Sequence, residues 1–166
     1  MPLTQSSAIG LDMTRAHAIS TEACLFCRIA AGEVAVHEVF RDAELLAFLD
    51  TGPIREGHVQ IIPIQHIATF EDLPPALGTQ ILQLGQRIAR VQKRLYSVER
   101  VAFMFTGGDI PHVHAHLVPM HEKTDVTSRR YITNTDLTWA PRPQPAPQAL
   151  RKTAEAIAKG LLEERA

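Results

Sequence analysis

Along the chain the spacing of apolar positions changes period several times, and each change predicts an element. The run Leu45-Leu46-Ala47-Phe48-Leu49 is short and continuously apolar, so residues 45–50 read as a strand. Residues 58–63, His58-Val59-Gln60-Ile61-Ile62-Pro63, form a second such run between Gly57 and a proline. Residues 34–40 read as extended ahead of an Arg41-Asp42 turn, and Thr51-Gly52-Pro53 separates the next two segments. Strands this close in sequence favour an antiparallel meander. The period then lengthens: Leu77, Ile81, Leu84, Ile88, Val91 and Leu95 recur at steps of four and three, the stripe of an amphipathic helix begun at Pro74-Pro75. Residues 101–105 predict a fourth strand, Thr106-Gly107-Gly108-Asp109 a tight loop, and residues 111–118 a fifth strand. A short helix or turn is expected over residues 24–30, ended by Gly32. After a connector stiffened by Pro141, Pro143, Pro145 and Pro147, a last helix follows from Leu150, Ala154, Ile157 and Leu161 on one face. The class is α+β: a five-stranded antiparallel sheet with one long amphipathic helix packed on it and an additional C-terminal helix.

Length and charge narrow the picture. A chain of 166 residues fills one core, and 17 basic against 18 acidic residues leave a net charge of −1. Such a balance argues against bulk nucleic-acid binding or a polybasic membrane anchor, and no apolar run reaches transmembrane length. We therefore expect a cytoplasmic protein with a mobile extension over residues 1–22, a catalytic domain over 23–122, and a C-terminal extension over 123–166.

Two groups of residues carry candidate chemistry. His112-Val113-His114-Ala115-His116 alternates imidazoles with apolar residues, and on a strand the three rings would share one face about 6–7 Å apart. Imidazole transfers protons, binds metals and attacks electrophiles near neutral pH. In a row of three the middle ring can be supported from both sides, so His114 is the candidate nucleophile and His116 the candidate phosphate donor. A histidine nucleophile suits phosphoryl or nucleotidyl transfer, because a phosphoramidate both forms and hydrolyses readily. The second group is Cys24-Leu25-Phe26-Cys27, the chain's two cysteines, whose spacing in a reducing compartment suits a metal clamp or a redox pair.

Four blocks in order carry a family resemblance: Cys-Leu-Phe-Cys-Arg-Ile-Ala-Ala-Gly-Glu from Cys24, Leu-Ala-Phe-Leu-Asp ending at Asp50, Gly-His-Val-Gln-Ile-Ile-Pro-Ile-Gln-His from Gly57, and His-Val-His-Ala-His-Leu-Val-Pro from His112. The sequence resembles the histidine-triad (HIT) superfamily from about Cys24 to Pro119. The resemblance implies a hydrolase or transferase of nucleotide derivatives that attacks an α-phosphate with His114 and passes through a nucleotidyl-histidine intermediate. It also implies a ribose-binding role for Asp50 and a base pocket drawn from Phe26, Ile29, Val34 and Phe48. His58 takes the position of a histidine behind the catalytic ring. The zinc-containing branches imply a structural zinc on Cys24, Cys27, His66 and His112, a set that saturates a tetrahedral site. Symmetric dimers are common among relatives, so a homodimer binding a purine nucleotide or nucleotide conjugate is expected.

The loop before the triad departs from the pattern. Thr106-Gly107-Gly108-Asp109-Ile110-Pro111 is shorter than in many relatives and lacks their Asn and hydroxyl near the triad, leaving Thr106, Gly108 and Asp109 as the candidate phosphate contacts. An ionised Asp109 would repel phosphate. This departure keeps open a nucleotide-binding or regulatory module with little turnover. A further alternative makes the three histidines themselves the ligands of a catalytic zinc.

Overall fold

The computed structural model describes residues 24–107, 110–126 and 143–163. Five strands form one antiparallel sheet: β1 (Glu38–Arg41), β2 (Leu45–Leu49), β3 (Val59–Pro63), β4 (Arg100–Phe105) and β5 (Ala115–Met120). Their spatial order is β1-β2-β3-β5-β4. The first three make the expected meander, but the last strand in sequence inserts between β3 and β4. Among the described residues three α-helices complete the domain, α1 (Leu25–Ala30), α2 (Pro75–Tyr96) and α3 (Pro147–Glu163), with a short 3₁₀ turn over Phe70–Asp72.

The two faces of the sheet are buried against different partners. Ala47, Leu49, Val59, Ile61, Ala115 and Leu117 point to α2 and α3, meeting Ile81, Leu84, Ile88, Val91, Ile157 and Leu161 in the main core. Leu46, Phe48 and Ile62 point the other way, to Cys24, Phe26 and Ile29 around α1. Coverage on both sides explains why β2 is apolar at every position rather than alternating. Pro75 occupies the first turn of α2, where its missing N–H costs nothing, and Ser97 ends the helix in the left-handed region at φ 51°.

Three expectations need correction. Residues 34–37 are not a strand; pairing begins at Glu38 and is interrupted by a register shift before Phe40. The fifth strand starts at Ala115, not at residue 111, and runs on to Met120. Leu95, assigned to the helical stripe, is 44% exposed, because the stripe has rotated off the sheet by the last turn of α2.

The segment between β2 and β3 is held from several directions. Asp50 accepts the Gly52 N–H at 2.7 Å, and buried Gln92 of α2 donates to the carbonyls of Gly57 (2.7 Å) and Leu117 (3.2 Å). Gly57 has φ +82°, and a Cβ there would lie 2.3 Å from the Tyr96 ring, so both conformation and space exclude a side chain. Arg55 donates through Nε to Asp125 at 2.8 Å, and the second Asp125 oxygen accepts the N–H groups of His121 and Glu122, both at 2.8 Å. The loop before β3 is thereby fastened to the turn after β5. Burial alone would raise the Asp125 carboxyl, but Arg55 and the two N–H groups outweigh it and hold it below its ordinary value. Asp125→Asn should therefore cost about 1–2 kcal/mol at neutral pH, measured by urea unfolding. The carboxylate's contribution is complete above the unfolded pKa of about 4 and is lost as pH falls through the lower folded value, so the wild-type advantage should vanish in acid.

Candidate active site

The triad does not lie along one strand. Only His116 belongs to β5. Ahead of it the His112 N–H donates to Ile110 at 2.8 Å and the Val113 N–H to Ile67 at 2.7 Å, so this segment pairs with the connector after β3 rather than with β4. The rings of His114 and His116 stay together, 4.9 Å between centroids, while the His112 ring turns toward the cysteines. The expected single row of imidazoles is thus divided between two neighbouring sites.

The first site gathers Cys24, Cys27, His66 and His112, whose ligand atoms all lie within 4.8 Å of one another. His112 Nδ1 is 3.4 Å from Cys24 Sγ and 3.6 Å from Cys27 Sγ, and His66 Nδ1 is 3.2 Å from Cys27 Sγ. These separations match the edges of a tetrahedron with metal–ligand bonds of about 2.0–2.3 Å. His112 Nε2 lies 3.0 Å from the Pro63 carbonyl and donates its hydrogen there, which turns the Nδ1 lone pair toward the sulfurs. Burial lowers the His112 pKa to about 4, against the Pro63 hydrogen bond and with help from neighbouring His66 and His114. The ring is therefore neutral, as a metal ligand must be. Burial, then the neighbouring Cys24 thiol, raises Cys27 to about 11, so without a cation this thiol keeps its proton.

The second site is built on a cross-strand row. Phe48 pairs with Gln60, Gln60 with His116, and His116 with Met104, so all four share the face opposite α2. Hydrogen bonds assign the tautomers along it. The Ile54 N–H donates to His58 Nδ1 at 3.3 Å, leaving His58 Nε2–H to donate to His116 Nδ1 at 2.9 Å. His116 Nε2–H then donates to Thr106 Oγ1 at 2.8 Å. His114 donates from Nδ1 to the His112 carbonyl at 2.6 Å, so its Nε2 carries a lone pair, 3.4 Å from the same threonine hydroxyl. An unprotonated nitrogen and a donating nitrogen thus meet at one hydroxyl, the arrangement an incoming phosphate requires.

Phe26, Ile29 and Phe48 are buried in one cluster with Val34 packed against it, and the Phe26 ring stands edge-on to His114 at 5.1 Å. Asp50, at the end of β2, lies 3.6 Å from His58 Nδ1 and accepts Gln60 Nε2 at 2.6 Å. Gln60 escapes the sequence reading; its signal is that it is the one amide within an apolar strand, two positions from His58. Gly108 and Asp109 lie outside the described residues. The three triad rings do not converge as metal ligands: among the described residues His112 groups with the cysteines, and His116 with Asp50 and His58.

The model of the HIT domain matches residues 31–123, more than half of the chain. The chain belongs to the HIT domain family. It is 30% identical to the adenosine 5'-monophosphoramidase of Saccharomyces cerevisiae, over 74% of this chain and 78% of that protein. A zinc-bound histidine triad family protein from Mycobacterium smegmatis superposes with a TM-score of 0.68 at 22% identity, covering 88% and 98% of the two chains. A hypothetical histidine triad nucleotide-binding protein from Sulfolobus tokodaii superposes at 0.71 with 19% identity, covering 86% and 94%. These two likenesses establish the HIT fold for this sheet and its helices.

The tautomers of this HIT domain are directly measurable. Long-range proton–nitrogen correlation spectra at neutral pH should show His114 protonated at Nδ1 and His116 at Nε2; a His114 carrying its hydrogen on Nε2 would refute the assignment.

Proposed function

We propose that this HIT domain is a nucleotide hydrolase acting on nucleoside phosphoramidates through a nucleotidyl intermediate on His114. The observation that carries the proposal is the His112 carbonyl 2.6 Å from His114 Nδ1, which commits the imidazole hydrogen to that side and turns the Nε2 lone pair toward Thr106 and His116. His114 Nε2 attacks the α-phosphorus and the P–N bond of the substrate breaks. His116 Nε2–H donates to a phosphate oxygen, and His58 holds His116 in the tautomer that can do so. The Thr106 hydroxyl passes a proton to the leaving amine and regains one from the water of the second step. Water then hydrolyses the His114–phosphorus bond. Asp50 receives the ribose hydroxyls, and the base lies against the wall of Phe26, Ile29, Val34 and Phe48. Gly108 and Asp109 belong to the phosphate loop by sequence.

The yeast relative, an adenosine 5'-monophosphoramidase, supports the substrate class. Cys24, Cys27, His66 and His112 are assigned a structural zinc, supported by the chemistry of the donors and by the Pro63 carbonyl that orients His112. When bound, the metal would supply a fixed junction between the segment before α1 and the segment that carries the nucleophile. A homodimer is proposed through β4, which forms one end of the sheet and carries half-buried Val101, Phe103 and Phe105. Thiols used as metal ligands fit a cytoplasmic location, and among the described residues no helix is long and apolar enough to cross a membrane.

With an adenosine phosphoramidate, rapid acid quench and mass spectrometry should find the nucleotide on His114, and His114→Ala should lower kcat by at least about 10³-fold. Equal activity of the variant, with no adduct in wild type, would reject the mechanism. Metal analysis should find one zinc per chain, lost in Cys24→Ser together with a lowered melting temperature; zinc retained in that variant would reject the assignment.

A further inference from the structure

In the middle of β3, where both cross-strand neighbours are rings, Phe48 and His116, stands an amide, Gln60. Its Nε2 donates to Asp50 Oδ2 at 2.6 Å, while its Oε1 is buried and meets no donor among the described residues. Turning the amide over would set oxygen against a carboxylate, so charge fixes its orientation. A buried acceptor without a donor weakens a fold, and an apolar side chain here would leave none. Packing alone therefore does not account for Gln60. The half of the amide that has a partner is its bond to Asp50.

The same carboxylate oxygen lies 3.6 Å from His58 Nδ1, and the Asp50 N–H donates to the His58 carbonyl at 2.9 Å, so the backbone keeps the two side chains adjacent. An anionic oxygen this near draws an imidazole hydrogen to Nδ1, because a charge-assisted hydrogen bond is roughly twice as strong as a neutral one. Here it does not. His58 Nδ1 instead accepts the Ile54 N–H at 3.3 Å, and the ring hydrogen stands on Nε2, donated to His116 Nδ1 at 2.9 Å. Gln60 on Oδ2 and the Gly52 N–H on Oδ1, at 2.7 Å, hold the carboxylate off.

We propose that Gln60 is a positioning residue that sets the direction of the histidine relay by occupying the Asp50 oxygen nearest His58. Its effect on turnover rests on the phosphoramidase reading above. Without the amide, Asp50 takes the His58 hydrogen on Nδ1, His58 Nε2 becomes an acceptor, and His116 donates to it from Nδ1. Each ring keeps one hydrogen; only its side changes. His116 Nε2 then faces Thr106 and the phosphate position with a lone pair and nothing to donate. The displaced Ile54 N–H belongs to an exposed residue, where water replaces the ring.

The test is the nitrogen-15 tautomer pattern at neutral pH in wild type, Gln60→Leu and Gln60→Met, two apolar replacements of different shape that both suit this strand. Wild type should carry hydrogen on Nε2 of His58 and His116, and either variant on Nδ1 of both. Adding Asp50→Asn to Gln60→Leu should return the His58 hydrogen to Nε2, since the neutral amide has no charge to draw it. With adenosine 5'-phosphoramidate, Gln60→Leu should lower kcat by about 10²-fold, the loss expected for a missing proton donor. Hydrogen on His58 Nδ1 in wild type, or a wild-type pattern kept in the variants, overturns the proposal. So does a reversed pattern with kcat unchanged. Wild type inert toward the phosphoramidate rejects the phosphoramidase reading instead and leaves the tautomers to decide the role of Gln60.

Discussion

His112 is the residue on which both sites depend, because its two ends serve different chemistry. Its ring faces Cys24 and Cys27, and its carbonyl accepts the His114 Nδ1 hydrogen. Moving the ring moves the peptide that sets the tautomer of His114. The Pro63 carbonyl fixes the ring from behind, so the end of β3 shares in the same constraint. Burial keeps this imidazole neutral, the form in which its Nδ1 lone pair can face the sulfurs.

The sheet supplies the second support. Gln60 and His116 are direct cross-strand neighbours, and His58 stands two positions before Gln60, which brings its ring to His116. A slip of one residue between β3 and β5 would send His116 into the α2 face and Leu117 toward His58 and Gln60. Register is secured by the apolar set beneath it, Val59, Ile61, Ala115 and Leu117, all fully buried. Gly57 and Gln92 fasten the entry to β3 from the helix side. The geometry of the histidine relay and the hydrophobic packing are thus specified by the same pairing.

Much of this was legible in the sequence because the deciding signals are local. Continuous apolar runs located β2 and β3, the four-and-three spacing located α2 to within a residue or two, and the blocks around Cys24, Asp50, His58 and His112 pointed to the family. What was not legible depends on partners distant in sequence. The start of β5 is delayed to Ala115 by the Val113–Ile67 hydrogen bond, which no periodicity encodes. The separation of His112 from His114 follows from burial beside sulfurs 85 or more residues away. Thr106 read only as one of three candidate phosphate contacts in the loop; that its hydroxyl lies between the two facing histidine nitrogens depends on the fold. Leu95 obeyed the helical period but ran past the end of the sheet that would have covered it.

The strand order has a consequence for biosynthesis. β3 and β4 cannot pair with each other in this architecture; each waits for β5, which leaves the ribosome after both. Until residues 115–120 are available, a nascent chain holds two facing strand edges with unpaired backbone groups, and α2 has half a floor to pack on. The strand that closes this gap is the one that carries His116 and follows His114. Completion of the fold and assembly of the triad are therefore a single late event, so a chain cut short before β5 exposes adhesive edges and carries no partial chemistry.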